Sequence, residues 1–332
     1  MRPMPHAPGF PKLSGCVHVA TDTPQRRQRF AAEIALLSSF GWRITPPDSG
    51  PRDAPDMQVV PLGECDAPND IPTLIRCDRA HPDAIEPDGF AMLSALGGGQ
   101  IERDLAASVT TDALVDKVLI GLNWSMVQAG PYCGIARSPE RGTEGPRSVR
   151  PDSGFTGRPL QELAGMMCST DALARSLGLA AINAFWNRVG QQGDKTGFAR
   201  FDPPGEGLVI IGGFRDAQKR LPQARIVERE PQGNDIAVAD AAQAIAGAQA
   251  LVITAQTLMN GSLEPLLRSS GQVPFRMLLG PSAPVCPLLL EYGLNDVSGT
   301  AVSDWAATEQ FILETGTNLM RPDLTCNIGV CR

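Results

Sequence analysis

Leu251–Asp304 reads LVITAQTLMNGSLEPLLRSSGQVPFRMLLGPSAPVCPLLLEYGLNDVSGTAVSD, and two apolar runs in it, Leu251–Thr254 and Phe275–Leu279, each stop in a loop of small and polar residues. The first loop offers Thr254, Thr257, Asn260 and Ser262; the second offers Gly280, Pro281, Ser282, Pro284, Cys286 and Pro287. In an open parallel sheet, ligands bind outside the carboxyl ends of the strands, where such loops lie. The segment therefore predicts strands followed by ligand-facing loops. Thr254, Asn260 and Ser282 are candidates for ligand contact, as is Asp304 at the far end. Gly261 permits an unusual backbone turn, and Ser262 reads as a cap for the next helix. Backbone N–H groups from Ser282 to Cys286 would face an anion if a helix starts near Pro287. A thiol there would have a lowered pKa, and Cys286 is then a candidate soft-metal ligand; a small buried residue in a proline-fixed loop is the plainer reading.

Upstream, strand patterns at Leu208–Ile211 and Arg225–Glu228 alternate with helical patterns around Asp216–Leu221 and at Asp235–Ala246. Downstream, helical patterns at Leu263–Leu267 and Pro287–Tyr292 and a run at Thr300–Val302 continue the alternation. Repeated strand–helix alternation implies a parallel, Rossmann-like sheet, here over residues 205–332. Its first strand runs into Gly212-Gly213-Phe214. A dinucleotide fingerprint needs a third glycine two residues later, and Asp216 stands there, which argues against ordinary NAD binding. Gly212 and Gly213 still allow a close approach of backbone to ligand. Glu228 ends the second strand, where an acid holds a ribose hydroxyl in nucleotide-binding sheets. A solvated strand end fits Glu228 equally well.

Residues 101–190 precede this unit. Lys117–Val127 (KVLIGLNWSMV) predicts one strand with a bulge at Gly121, and Asn123 on it is a candidate for ligand contact. Residues 130–157 are rich in Gly, Pro, Arg and Ser and read as loops with room for one short strand; Arg137, Arg141, Arg147, Arg150 and Arg158 make them basic. Two helices follow, one with Leu160, Leu163 and Met167 inward, the next capped by Ser169 or Thr170 and burying Leu173, Leu177 and Ala181. Asn183 on this alanine-rich helix must find a partner if buried, either across an interface or in a ligand. Asn187–Gly207 reads as the interdomain linker. Residues 1–100 predict an N-terminal α/β extension, with strands at Gly15–Ala20, Trp42–Thr45, Met57–Leu62 and Thr73–Arg76 and a helix between Thr23 and Gly41.

The 332 residues are 42% hydrophobic, enough for two or three domains with cores of their own. A net charge of −7 without a basic run speaks against a nucleic-acid partner. No apolar run approaches a membrane span, and the proline-rich start has no signal-like apolar region, so no membrane partner and a cytoplasmic location are expected. The eight cysteines form no CxxC, and the three histidines all lie before residue 82, which speaks against a histidine-rich zinc site. Cys326 and Cys331 read as thiols on a mobile tail.

Four pieces, VDKVLIGLNWSMVQ, SLGLAAINAFWN, ALVITAQTLMNGSLEPLL and LLGPSAPVCPLLLEYGLNDVSGTAVSD, carry a resemblance. Their order and spacing resemble the putative heavy-metal chelation domain family over roughly Asp112 to Asp304, leaving residues 1–100 outside it. The resemblance implies an enolase-N-terminal-like α+β domain joined to a Rossmann-like domain, with a site in the cleft between them. It implies a metal ion or a metal-chelating small molecule as ligand, a transition or heavy metal as cofactor, and a role in metal handling or metallocofactor metabolism. Cys133 and Cys168 in the middle domain would then join Cys286 across the cleft. An alternative stays open: an enzyme acting on a nucleotide-like or amino-acid-like molecule in the same cleft, with Glu228 on a ribose and Asn260, Ser282 or Asp304 assisting. No histidine lies in the matched region, so its base would be a carboxylate, a thiolate or water. Whether a reaction is catalysed, and whether the chain forms a homo-oligomer, the sequence leaves open.

Overall fold

The computed structural model describes the backbone of residues 16–19, 43–45, 57–61 and 73–76, and then residues 99–139, 154–169, 171–191, 197–201, 206–214, 217–314, 317 and 319–332. Strands β1 (Cys16–Val19), β2 (Arg43–Thr45), β3 (Met57–Pro61) and β4 (Thr73–Arg76) form a parallel sheet in the order β2-β1-β3-β4. The helix expected between Thr23 and Gly41 lies outside the described residues.

Helix α1 (Gln100–Ala107) leads into an antiparallel sheet of β5 (Lys117–Ile120), β6 (Trp124–Ala129) and β7 (Tyr132–Arg137). Lys117–Val127 is thus a hairpin and not one bulged strand. Gly121 N donates to Trp124 O at 2.9 Å and closes the turn, which places Asn123 in the turn. Helix α2 (Leu160–Gly165), a 3-10 turn (Met166–Cys168) and α3 (Ala172–Trp186) complete this unit. The cap of α3 is Asp171, whose carboxylate accepts from Ala174 N at 2.7 Å, in place of the expected Ser169 or Thr170. An acceptor bonding the amide three residues on meets the first-turn donors better than one further back. Helix α3 lies directly on β7: a Cβ at Gly134 would sit 2.0 Å from Ala184 N and 2.4 Å from Ala180 O. Small residues on both elements allow that approach.

Among the described residues, the C-terminal sheet has seven strands: β8 (Leu208–Ile211), β9 (Arg225–Glu228), β10 (Ile236–Ala237), β11 (Ala250–Thr254), β12 (Phe275–Leu279), β13 (Asp296–Val302) and β14 (Thr325–Cys331). Their order is β10-β9-β8-β11-β12-β13-β14, parallel except for β14 against β13. Counted from β8, this is the doubly wound order 3-2-1-4-5-6 with an antiparallel edge strand. All four residues of β8 are buried because helices cover both faces. One face packs Leu208, Ile210, Val252 and Met277 against Ala217 and Leu221, the latter beside α4 (Ala217–Arg220). The other packs Val209, Ile211, Leu251, Ile253 and Leu278 against α5 (Ala241–Ala246), α6 (Gln256–Met259) and α7 (Leu263–Ser269). Short α8 (Leu288–Glu291) and α9 (Trp305–Glu314) follow β12 and β13.

The expected helix over Asp235–Ala246 begins later, after β10 and a 3-10 turn at Val238–Asp240. The expected mobile tail is β14, fully paired with β13 from Thr325 to Cys331. At about 3.3 Å per residue, Cys326 and Cys331 stand some 16 Å apart and cannot share an ion or a disulfide. Among the described residues, no helix is long and apolar enough to cross a membrane.

Candidate functional site

The parallel strands end along one edge of the sheet, and the middle unit packs on part of that edge. The contact runs through buried polar groups. Asn183 Nδ2 donates to Ile135 O at 2.8 Å and to Ser282 O at 3.1 Å, while its Oδ1 has no hydrogen-bond partner among the described residues. Asn187 Nδ2 donates to Ala283 O and Thr300 O, and its Oδ1 accepts from Val285 N at 2.8 Å. Ser282 Oγ accepts from Arg137 N at 2.9 Å. Buried carbonyls and amides of the β12–α8 loop are thereby paired, as their desolvation requires.

This arrangement changes the reading of the GPSAPVCP loop. Ser282, Ala283, Val285 and Cys286 are all buried in the interface. Ala283 N bonds Gly280 O and Cys286 N bonds Pro284 O, so these amides, with Val285 N, do not face an anion. The following α8 has only four residues. Burial, the largest influence, pushes the Cys286 thiol up to about 11, the reverse of the lowered value expected beside a helix start.

The metal expectation can be tested on the donors themselves. Cys133 is buried with Trp124, Met126, Ile135, Val302 and Ile312, and burial pushes its thiol up to about 12. Cys286 lies in a different apolar cluster, within reach of Ser108. Cys168 is half-buried near Glu102, Arg103 and Arg175, and its pKa is raised, first by burial and then by Glu102. Among the described residues, no group of three or more His, Cys, Asp or Glu side chains is placed to hold a metal ion. Cys133 and Cys286 lie in two separate apolar clusters, so the thiols do not converge. Cys133, Cys168 and Cys286 do not fit a shared protein metal centre.

The β8–β9–β11 end of the edge is different. Gly212 has a φ of +93°, and its amide donates to Val227 O at 2.9 Å. A Cβ at Gly212 would lie 2.5 Å from Thr254 Cγ2, so glycine is required twice over, by conformation and by space. Gly213 is exposed, and a Cβ there would lie 3.5 Å from Glu228 Oε1. The half-buried Glu228 carboxylate therefore hangs over the glycine turn. Gly212, Gly213, Glu228 and Thr254 come together at the point where strand order reverses.

The other expected residues lie apart from this group. Asn260 Oδ1 accepts from Ser262 N and from Ser262 Oγ, so Asn260 organises its own turn. Ser262 stands at the N-cap of α7, but its hydroxyl serves Asn260 in place of the helix. Asp304 caps α9 through Ala307 N at 3.0 Å and is exposed. Asn123, in the β5–β6 turn, accepts through its backbone carbonyl from Ser138 N, just past β7, at 2.9 Å.

Several residues that shape the interface carried no local signal. Arg175 is fully buried and donates to Met167 O, Leu258 O and Met259 O, tying α3 to the end of α6. Glu264 accepts from Gly99 N and Gln100 N and pairs with Arg268, so it anchors the start of α1. Asn187 could have been found: it follows Asn183 by one helical turn and shares its face.

Two family models match, over residues 103–186 and 200–320, and both are described as putative heavy-metal chelation. No curated protein matches the chain. A protein with unknown function from the DUF364 family of Desulfitobacterium hafniense DCB-2 is similar in fold, with a TM-score of 0.62 at 22% identity, over 70% of this chain and 98% of that one. A second protein with unknown function from that family, from Pyrococcus horikoshii, gives a TM-score of 0.53 at 16% identity over the same shares of the two chains. The two models follow one another along the middle unit and the seven-stranded sheet, and the chain belongs to the putative heavy-metal chelation family.

Proposed function

We propose that the chain binds metal as a complex with a small chelating molecule, in the cleft between the middle unit and the carboxyl edge of the seven-stranded sheet, and serves metal handling or metallocofactor metabolism. The observation that carries this reading is the placement of the thiols. Cys133 and Cys286 are buried in separate apolar clusters, and among the described residues no three His, Cys, Asp or Glu side chains are placed to hold a metal ion, so this reading gives the soft donors to the ligand. The family description supplies the metal. The domain limits in this reading are residues 101–190 and 205–332. The protein's share of the work is then to hold a polar molecule, for which Thr254, Glu228 and the exposed Gly213 stand at the carboxyl edge.

Equilibrium dialysis of the untagged full chain tests the reading, with nickel(II) alone and with nickel(II) complexed by citrate or by histidine. Uptake from a complex together with its chelator, and little from the bare ion, is expected. Uptake of one bare ion per chain overturns the chelator, and no uptake in any form overturns metal binding.

A further inference from the structure

We propose that the crevice between the ends of β8 and β11 binds the ribose of a nucleoside-type molecule, with the Glu228 carboxylate accepting its two vicinal hydroxyls. It shares Thr254, Glu228 and Gly213 with the metal reading, in which they hold the chelating molecule, and it names the sugar chemistry they fit without needing a metal.

The crevice follows from topology. The chain leaves β8 toward α4, whose Ala217 packs on the sheet face bearing Leu208, Ile210 and Val252. It leaves β11 toward α6 and α7, whose Leu258, Leu263 and Leu267 pack on the face bearing Val209, Ile211 and Ile253. Adjacent strands that send their connections to opposite faces leave a gap at their carboxyl ends, and this is where doubly wound sheets take ligands.

The residues at the gap select the ligand. Gly212, held at a φ of +93° against Thr254, brings bare backbone to the sheet edge. Gly213 adds no side chain and is exposed. Register places Ile211 opposite Val227, so Glu228 stands beside the glycine pair, its Oε1 3.5 Å from the Cβ position of Gly213. A carboxylate accepts two hydrogen bonds side by side, and a vicinal diol donates two with the same spacing. The same turn is ill suited to a diphosphate. The third glycine that packs a dinucleotide-binding helix against its strand is absent, and α4 has only four residues. The fitting ligand is therefore a nucleoside or a nucleoside-bearing molecule gripped through its sugar, not a dinucleotide gripped through its phosphates.

The test is equilibrium binding of adenosine, guanosine, cytidine and uridine to the full chain in metal-free buffer. The ribonucleoside that binds is then compared with its 2′,3′-dideoxy form. Loss of both hydroxyls should weaken binding by about tenfold or more, the worth of hydrogen bonds to a charged group. Glu228→Gln should weaken the ribonucleoside similarly and leave the dideoxy form unchanged. Gly213→Leu, which fills the space under the carboxylate, should abolish binding while thermal unfolding stays as in the native chain. Binding by none of the four ribonucleosides overturns the proposal. So does equal affinity for ribo and dideoxy forms, or an unaltered affinity in Glu228→Gln. Because no metal is present, failure here leaves the metal reading standing, and failure of the dialysis leaves this one standing.

Discussion

The Glu102 carboxylate and the Arg175 guanidinium face each other at 3.6 Å, and neither side chain has any solvent-accessible surface. The separation is longer than a normal hydrogen bond, and Arg175 gives three of its donors to the carbonyls of Met167, Leu258 and Met259. Burial dominates: it lifts Glu102 from 4.5 to about 7, against the opposing pull of Arg175 and with some help from Glu264. The folded chain thus holds a proton that the unfolded chain releases from pH 4.5 upward. Bound protons are then more numerous in the folded state, so stability falls as pH rises through that window and levels off above about pH 7. The fall attributable to this group is at most about 3 kcal/mol. Glu102→Gln should remove it, leaving the variant more stable than the native chain at pH 8. Denaturant unfolding at pH 5 and pH 8 measures both, and parallel pH dependence in the two proteins would show that Glu102 does not titrate in this range.

Asn187 makes three hydrogen bonds across the interface, all to backbone of the C-terminal unit. Asn187→Ala strands Val285 N and two carbonyls in a dry place, a loss of about 2–4 kcal/mol. Hydrogen exchange should locate the loss at the Val285 amide. An unchanged exchange rate there would mean that water or another group takes over.

Two glycines should respond differently to alanine. At Gly134 the new methyl meets the backbone of Ala180 and Ala184, which cannot step aside, so Gly134→Ala should fail to fold or unfold far below the native temperature. At Gly212 the obstacle is the Thr254 side chain, added to the strain of a φ of +93°. Gly212→Ala should cost about 2–3 kcal/mol. Thr254→Ser in the same chain removes the 2.5 Å contact with Cγ2 and should return part of that loss, the 2.9 Å contact with Thr254 Cβ and the conformational cost remaining. A double-mutant cycle by thermal unfolding measures the Cγ2 contact, and strict additivity would contradict it.

Thiol labelling provides a further check. Cys331 is exposed, whereas Cys133 and Cys286 are buried with raised pKa values. At pH 8 a maleimide should modify Cys331 in the folded chain within minutes and reach Cys133 and Cys286 only on unfolding. Peptide mass mapping reads each site separately. Fast modification of Cys286 in the folded chain would contradict its burial.

The C-terminal sheet was largely legible in the sequence. Leu208–Ile211, Arg225–Glu228 and Phe275–Leu279 are short segments with branched or aromatic apolar residues, and β8, β9 and β12 have those limits. The β5–β6 hairpin was not legible because Gly121-Leu122-Asn123 interrupts the apolar run with only one polar residue. The strand β14 was missed because CNIGVC alternates weakly and takes its pairing from β13. The meeting of Gly212 with Glu228 and Thr254 follows from strand order, which local periodicity does not encode. Arg175, Glu102 and Asn183 serve contacts about 50 to 100 residues away or interunit packing, and a local pattern carries none of that.

The central claim is that metal arrives with its own chelator and is not gripped by protein thiols. The direct measurement is elemental analysis of the untagged chain and of its Cys133→Ala/Cys168→Ala/Cys286→Ala variant, each after exposure to nickel(II) alone and to nickel(II) with citrate or histidine, followed by gel filtration. The account predicts metal retained only when a chelator is present, and retained equally by the variant. One nickel per chain from the bare ion, lost in the variant, would contradict it.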